Sequence, residues 1–281
     1  MKNGEPRNMV LDPAVLERKR EKLMDDLSGL DTLLVAFSGG VDSAFLLSVA
    51  HEVLGEKVLG VTAASPIHPL EERETASRFA EANQIRHLVV DSEEMALPEF
   101  IENTPDRCYH CKKALIRQLT QVAEERGIRH MAHGANTDDL TDFRPGFRAA
   151  EEAGLLTPLV NAGLHKSEIR LLAKQMGLSV WDRPAAACLA SRLPYGSPIT
   201  ERKLRMVEAA EQCLMDLGFR ELRVRHHGSV ARIELGGEAF TGVMDVPVRE
   251  EIVKRFQALG FTHISLDLEG YVSGKMNREL V

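Results

Sequence analysis

The chain of 281 residues is 44% hydrophobic and 27% charged, the balance of a soluble globular protein long enough for one large domain and a smaller one. No apolar run approaches the length of a membrane span and residues 1–13 are polar with no signal-peptide core, so a membrane role is excluded and a cytoplasmic location is the expected default. A formal charge of -7 offers no global attraction to polyanions, which disfavours a nucleic-acid partner.

Residues 13–30 carry Val15, Leu16, Leu23 and Leu27 among charges and predict an amphipathic helix. The apolar run Leu33-Leu34-Val35-Ala36-Phe37 predicts a buried strand, followed by Ser38-Gly39-Gly40-Val41-Asp42-Ser43 and an apolar helix. Residues 57–64 read as a second strand, 70–83 as a helix, 85–91 as a third strand, 105–127 as a helix and 128–133 as a short strand. Strands alternating with helices at this spacing predict an α/β fold, a parallel twisted sheet with helices on both faces. A loop rich in Arg, Gly and Pro is expected up to Pro158, then a helix over 167–176 ending at Gly177. The proline-containing stretch 181–198 reads as irregular, with a domain boundary near its end: residues 1–197 and 198–281. Beyond it, a helix over 200–217, strands over 222–226 and 230–235, a helix over 248–259 and a last strand over 263–268 predict a smaller C-terminal α+β domain.

The strand, glycine turn and helix start at Ser38–Ser43 form a place to hold phosphate. The glycines let backbone approach an anion, Ser38 and Ser43 offer hydroxyls, and the helix N-terminus offers N–H groups with partial positive charge. A Walker A lysine and a GxGxxG after a strand are both missing. Asp42 inside an anion loop would be repelled without a cation between, so it is read as a Mg²⁺ ligand. Asp138 and Asp139, after the strand ending at His133, are candidates for a second contact to nucleotide or Mg²⁺ at the same sheet edge. Of four cysteines, Cys213 falls at helical spacing with Met206, Ala210 and Leu217 and reads as a core thiol. Cys108 and Cys111 form one CxxC, and Cys188 lies in the irregular stretch. A cluster with one open iron, half a zinc site and a redox dithiol all remain open from this spacing. Arg223 and Arg225 share a strand face and can clamp a carboxylate or phosphate.

SGGVDS with GANTDD resembles the PP-loop ATP pyrophosphatases, and PDRCYHCKKAL, RPAAACLASRLPYG and DLEGYVSGKMN are similar to the LarE family, the sulfur-inserting enzymes of nickel-pincer nucleotide biosynthesis. The resemblance spans nearly the whole chain. It implies cleavage of ATP between the α and β phosphates and adenylation of a carboxylate of pyridinium-3,5-biscarboxylic acid mononucleotide, which becomes a thiocarboxylate. Ser38, Gly39, Gly40, Val41, Asp42 and Ser43 would then hold ATP, Asp42 the Mg²⁺, with Asp139 nearby. Cys188 would occupy the sulfur-donor position, and Ser191, Arg192, Arg223 and Arg225 would hold the phosphate and carboxylates of the substrate, with Glu211 an acidic residue beside them. The extra Cys108 and Cys111 are similar to the subgroup in which three cysteines hold a [4Fe-4S] cluster that carries sulfide from an external source. A homohexamer is also implied. A tRNA-thiolating PP-loop enzyme and a zinc-stabilised nucleotide-binding protein are the alternatives.

Overall fold

The computed structural model of the chain describes residues 12–141, 145–183, 187–272 and 274–280. Its elements run α1 (Pro13–Ser28), β1 (Leu33–Ala36), α2 (Val41–Leu54), β2 (Val58–Ala64), α3 (Leu70–Ala82), β3 (His87–Asp91), α4 (Pro98–Ile101), α5 (Arg107–Glu125), β4 (His130–His133), α6 (Pro145–Glu152), α7 (Pro158–Asn161), α8 (Lys166–Gln175), α9 (Glu201–Asp216), β5 (Leu222–His227), β6 (Val230–Leu235), α10 (Phe240–Met244), α11 (Val246–Ala258) and β7 (His263–Leu266). The expected helices and strands are present, with ends shifted by a few residues. Residues 142–144 of the expected Arg-, Gly- and Pro-rich loop, and 184–186 of the irregular stretch, lie outside the described residues. The rest of that loop is more ordered than its composition predicts. Pro145 and Pro158 each start a short helix, because proline presets a helical φ at the first position, where its missing N–H costs nothing.

The first sheet has the order β3-β2-β1-β4, and β1 is parallel to both β2 and β4, with Leu33 opposite Val58 on one side and His130 on the other. This is the parallel sheet with helices on both faces that the alternation of elements implies. Its strand order reverses between β1 and β4, so the carboxyl ends of these two strands border the crevice where such sheets bind ligands. The second sheet has the order β5-β6-β7, with β5 antiparallel and β7 parallel to β6. Its two-residue alternation separates two chemistries. Leu222, Val224, Ala231, Ile233 and Leu235 enter an apolar core with Phe256 and Phe261, while Arg223, Arg225, Arg232 and Glu234 share the opposite face.

The chain forms two compact units: Met1–Ala63, Glu72–Val90 and Ile116–Ala185 make one; Ala64–Glu71, Asp91–Leu115 and Ala186–Val281 make the other. The core of the first joins Leu23 and Leu27 of α1 to β1, α2 and α8. The second holds the small sheet's core and a separate apolar cluster in which Ile67, Phe100, Leu189, Ala190, Leu193 and Leu204 meet.

Within the second unit, Asn103 ties the segment before the CxxC to the loop after Cys188. It is fully buried and left-handed, with φ 58°, a conformation that asparagine tolerates better than most residues. Its Nδ2 donates to Pro194 O (2.7 Å) and Ser197 O (2.8 Å), its Oδ1 accepts from Arg107 Nη1, and its own carbonyl accepts from Gly196 N (3.0 Å). Arg107 in turn stacks on Tyr195 at 4.6 Å. Asn103→Ala strands two partly buried carbonyls and a buried guanidinium, and is expected to cost about 1–3 kcal/mol, read as a lower urea midpoint at unchanged m-value.

Candidate active-site residues

In the first unit the chain leaves β1 with Phe37 N bonded to Val61 O (2.8 Å) and turns at Gly39. Here φ is 76°, and an added Cβ would lie 3.2 Å from Glu72 O and 3.3 Å from the Ala76 Cβ, so both conformation and space require glycine. The loop is closed by hydroxyls. Ser38 Oγ and Ser43 Oγ are 3.1 Å apart, Ser43 Oγ donates to Gly40 O (3.1 Å), and Ser38 N donates to Ser43 Oγ (3.2 Å). Gly40 caps α2 with no side-chain bond to the helix, which leaves the first-turn N–H groups for an anion. Val41 is the one loop residue whose side chain is committed to the core, so its contribution to a ligand is backbone only. The loop after β4 is equally tight: a Cβ on Gly134 would stand 2.7 Å from Ser43 N.

Asp42 has one carboxylate oxygen bonded to Lys166 Nζ and the other, Oδ1, buried with no partner. Burial raises its pKa above the usual carboxylate range, with Lys166 only partly offsetting and the nearby Asp139 adding to the rise. Asp139 is thus within electrostatic reach of Asp42, and its Oδ2 accepts from Asn136 N (3.0 Å). Asp138 has a different task. It accepts from His165 Nδ1 (2.6 Å) and Lys166 N (2.8 Å), anchoring the start of α8. Burial pulls its pKa up, but the bonds from His165 and Lys166 outweigh that and leave it below the ordinary value. Lys166 was not legible as a site residue, since a helix-start lysine has no motif of its own. Its role comes from Asp138, which aims it at the loop. A lone buried carboxylate oxygen beside an anion loop suits a hard divalent cation, and Mg²⁺ fits. No group of three His, Cys, Asp or Glu residues able to hold a metal exists among the described residues, so phosphate oxygens and water would complete the shell.

In the second unit, Cys108 is exposed while Cys111 and Cys188 are half-buried, both packed against the Ile67–Phe100–Leu189 cluster. The backbone places Cys188 by the bond from Leu189 N to Ile67 O (2.7 Å). Burial pushes the Cys188 thiol up to about 11, with Cys108 adding to the rise and Arg107 and Arg192 opposing it. Burial also raises Cys111, with Cys188, Glu94 and Cys108 all adding. The structure therefore brings the three expected cysteines into one electrostatic neighbourhood. Cys111 and Cys188, each raised by burial and by a neighbouring thiol, would ionise more readily beside a bound cation. The three cysteines are free thiols, and among the described residues they do not form a metal-binding group.

The arginines divide by partner. Arg192 makes a bidentate pair with Glu211, 2.9 Å at both ends, and its Nη1 donates to Ala187 O (2.6 Å), Cys188 O (3.1 Å) and Ser191 Oγ (3.1 Å). It holds the turn that carries Cys188. Glu211 also accepts from Val224 N (3.0 Å). Arg225 pairs with Glu234 (2.7 Å) and donates to Ser191 O (3.0 Å). Arg223 is half-buried and donates to Leu222 O (2.6 Å). Among the described residues it has no ion-pair partner. Of the three arginines that sequence marks, Arg223 alone keeps its charge uncommitted.

The profile of the PP-loop domain matches residues 13–143. The chain is 37% identical over 268 residues, 95% of its own length and 96% of the relative's, to the pyridinium-3,5-bisthiocarboxylic acid mononucleotide synthase of Lactiplantibacillus plantarum. It is 43% identical over 95% of its length and 99% of the relative's to an uncharacterised protein of Synechocystis. A tRNA-specific 2-thiouridylase of Rickettsia felis matches at 29% identity, over 54% of this chain and 52% of the relative.

In metal-free protein, exposed Cys108 is expected to react with iodoacetamide ahead of Cys188, whose rate should rise about tenfold per pH unit below its raised pKa. Peptide mass spectrometry across pH 7–11 reads both.

Proposed function

The chain belongs to the LarE family of PP-loop ATP-dependent sulfurtransferases, and we propose that its substrate is pyridinium-3,5-biscarboxylic acid mononucleotide. The relative that supports this reading is named for the corresponding bisthiocarboxylic product and is matched along almost its whole length. The tRNA-thiolating reading rests on a match to half of each chain, in a protein with pI near 5.8.

A carboxylate resists sulfur because its charge repels nucleophiles and oxide is a poor leaving group. ATP removes both obstacles. One substrate carboxylate oxygen attacks the α-phosphorus, the bond to the β-phosphate breaks, and pyrophosphate leaves with its electron pair. The Ser38–Ser43 loop holds the phosphates on the α2 N–H groups, Asp42 would hold a Mg²⁺ that offsets phosphate charge, and Lys166, bonded to Asp42, adds positive charge as pyrophosphate departs. Sulfur then attacks the activated carbonyl, and AMP leaves carrying the former carboxylate oxygen. Arg223 binds the anionic groups of the mononucleotide, while the Arg192–Glu211 and Arg225–Glu234 pairs hold Ser191 in place.

Cys108, Cys111 and Cys188 would hold the [4Fe-4S] cluster, which when bound supplies a transferable sulfide that an external source can replace. The observation that supports this part is that Cys111 and Cys188 pack on one apolar cluster, with Cys108 adding to the pKa rise of both. In this reading the region 198–281 serves the nucleotide and a homohexameric assembly, which sedimentation velocity tests directly.

Anaerobic reconstitution with iron and sulfide should give a brown protein with about four irons per chain. With ATP, Mg²⁺, sulfide and the mononucleotide it should release AMP and return substrate heavier by an oxygen-to-sulfur exchange. Neither AMP nor a mass change would sink the reading, and zinc without sulfide would sink the cluster. Cys111→Ser should lose the chromophore and repeated turnover. Asp42→Asn should lower AMP formation about 100-fold or more while the cluster still assembles.

A further inference from the structure

The segment after β7 is tied down at both ends, by backbone bonds to β6 and by the Asp267–Lys275 pair. Asp267 N donates to Ile233 O (2.8 Å), Gly270 N to Asp267 O (3.0 Å) and Tyr271 N to Leu235 O (2.9 Å), so the turn is pinned along β6. Gly270 is the point of closest approach. Its φ is 73°, and a Cβ there would stand 2.6 Å from Leu235 O and 3.1 Å from the Phe240 ring, so no other residue lets the turn seat. Lys275 locks it from outside, paired with Asp267 at 2.7 Å and bonded to Gly270 O at 3.3 Å.

What this mount delivers is the ring of Tyr271, which lies 5.0 Å from the Arg223 guanidinium. Arg223 needs such a neighbour. Burial, then Arg192, and further down Arg225 disfavour its charge, while Glu211 and Tyr271 support it. Arg192 and Arg225 each have a buried carboxylate of their own, and Arg223 has none among the described residues. A carboxylate would hold Arg223 in place and also cancel its charge and occupy its N–H donors. An aromatic face attracts the cation through its quadrupole and leaves the donor edge open.

We propose that Tyr271 is a positioning residue that presents Arg223, charged and with the donors not bonded to Leu222 O left open, to an oxyanion of the substrate. The Asp267–Lys275 turn exists to hold that ring. The inference rests on the proposed nucleotide substrate only for the identity of the oxyanion, a phosphate monoester or a ring carboxylate.

Kinetics on the reconstituted full-length enzyme test the role. Tyr271→Phe keeps the ring face and should leave KM for the mononucleotide within about twofold of the parent. Tyr271→Leu should raise that KM about tenfold, with kcat and the KM for ATP within about twofold. An unchanged KM in Tyr271→Leu, a Phe variant as damaged as Leu, or a parallel rise in the KM for ATP would each overturn it. A second measurement needs no turnover. Phenylglyoxal modification of Arg223 is followed by peptide mass spectrometry, with inorganic phosphate or pyridine-3,5-dicarboxylate as protectant, and the better protectant identifies the oxyanion. Tyr271→Leu should need about tenfold more protectant than the parent and the Phe variant. Equal protection in all three overturns the inference. A parent that ignores the mononucleotide yet shows this graded protection overturns only the substrate.

Discussion

A single buried amide organises the half of the protein that would carry sulfur. Asn103 can donate twice and accept once at the same time only where the 194–197 loop and Arg107 meet around it, and it has no route to water if they do not. In a low-dielectric interior an unmade bond of this kind costs nearly its full desolvation penalty. The segment that ends at Cys111 and the loop that begins at Cys188 are therefore locked to each other. The left-handed backbone at Asn103 restricts which side chains can do this, and Arg107, one residue before Cys108, carries the constraint directly into the CxxC.

The same unit pairs two of its buried carboxylates with arginines. Glu211 and Glu234 lie nearly or fully out of solvent, where an ionised carboxylate survives only with a partner and hydrogen bonds. Each takes an arginine and a further donor: Glu211 takes Arg192 and the Val224 amide, while Glu234 takes Arg225 and Arg232. Breaking either pair from one side would leave a stranded charge worth about 3–5 kcal/mol. These pairs also set the position of Ser191 and Cys188 through Arg192 and Arg225. Arg223, by contrast, has an aromatic face beside it and no carboxylate partner among the described residues.

The nucleotide half follows the opposite rule, leaving an acceptor unsatisfied. Asp42 keeps one oxygen without a partner and the other on Lys166. Magnesium and phosphate would relieve this arrangement, drawing Asp42 to the cation and freeing the lysine for the anion. Gly39 and Gly134 make room for that exchange by letting the loops after β1 and β4 approach backbone to backbone. The missing Walker lysine would thus be answered from α8, far along the chain.

Local chemistry was enough to read much of this from the sequence. The alternation of apolar strands and amphipathic helices determined the parallel sheet, because burying one face of each element leaves few arrangements. The SGGVDS turn read as a phosphate loop, in the stretch that the PP-loop profile spans, since glycine conformation, hydroxyls and a helix N-terminus are properties of six neighbouring residues. Cys213 read as core from helical spacing and is buried there. What residue order could not show were relations between distant segments. Lys166 gains its meaning from Asp42 and Asp138, Glu234 from a strand register, and Tyr271 from the glycine that seats it. Residues 64–71 and 91–115 pack in the same compact unit as 186–281, which brings Cys108 and Cys111 to Cys188. Only the tertiary structure decides which arginines spend their charge on buried carboxylates, because desolvation depends on what covers a residue and not on what precedes it in the chain.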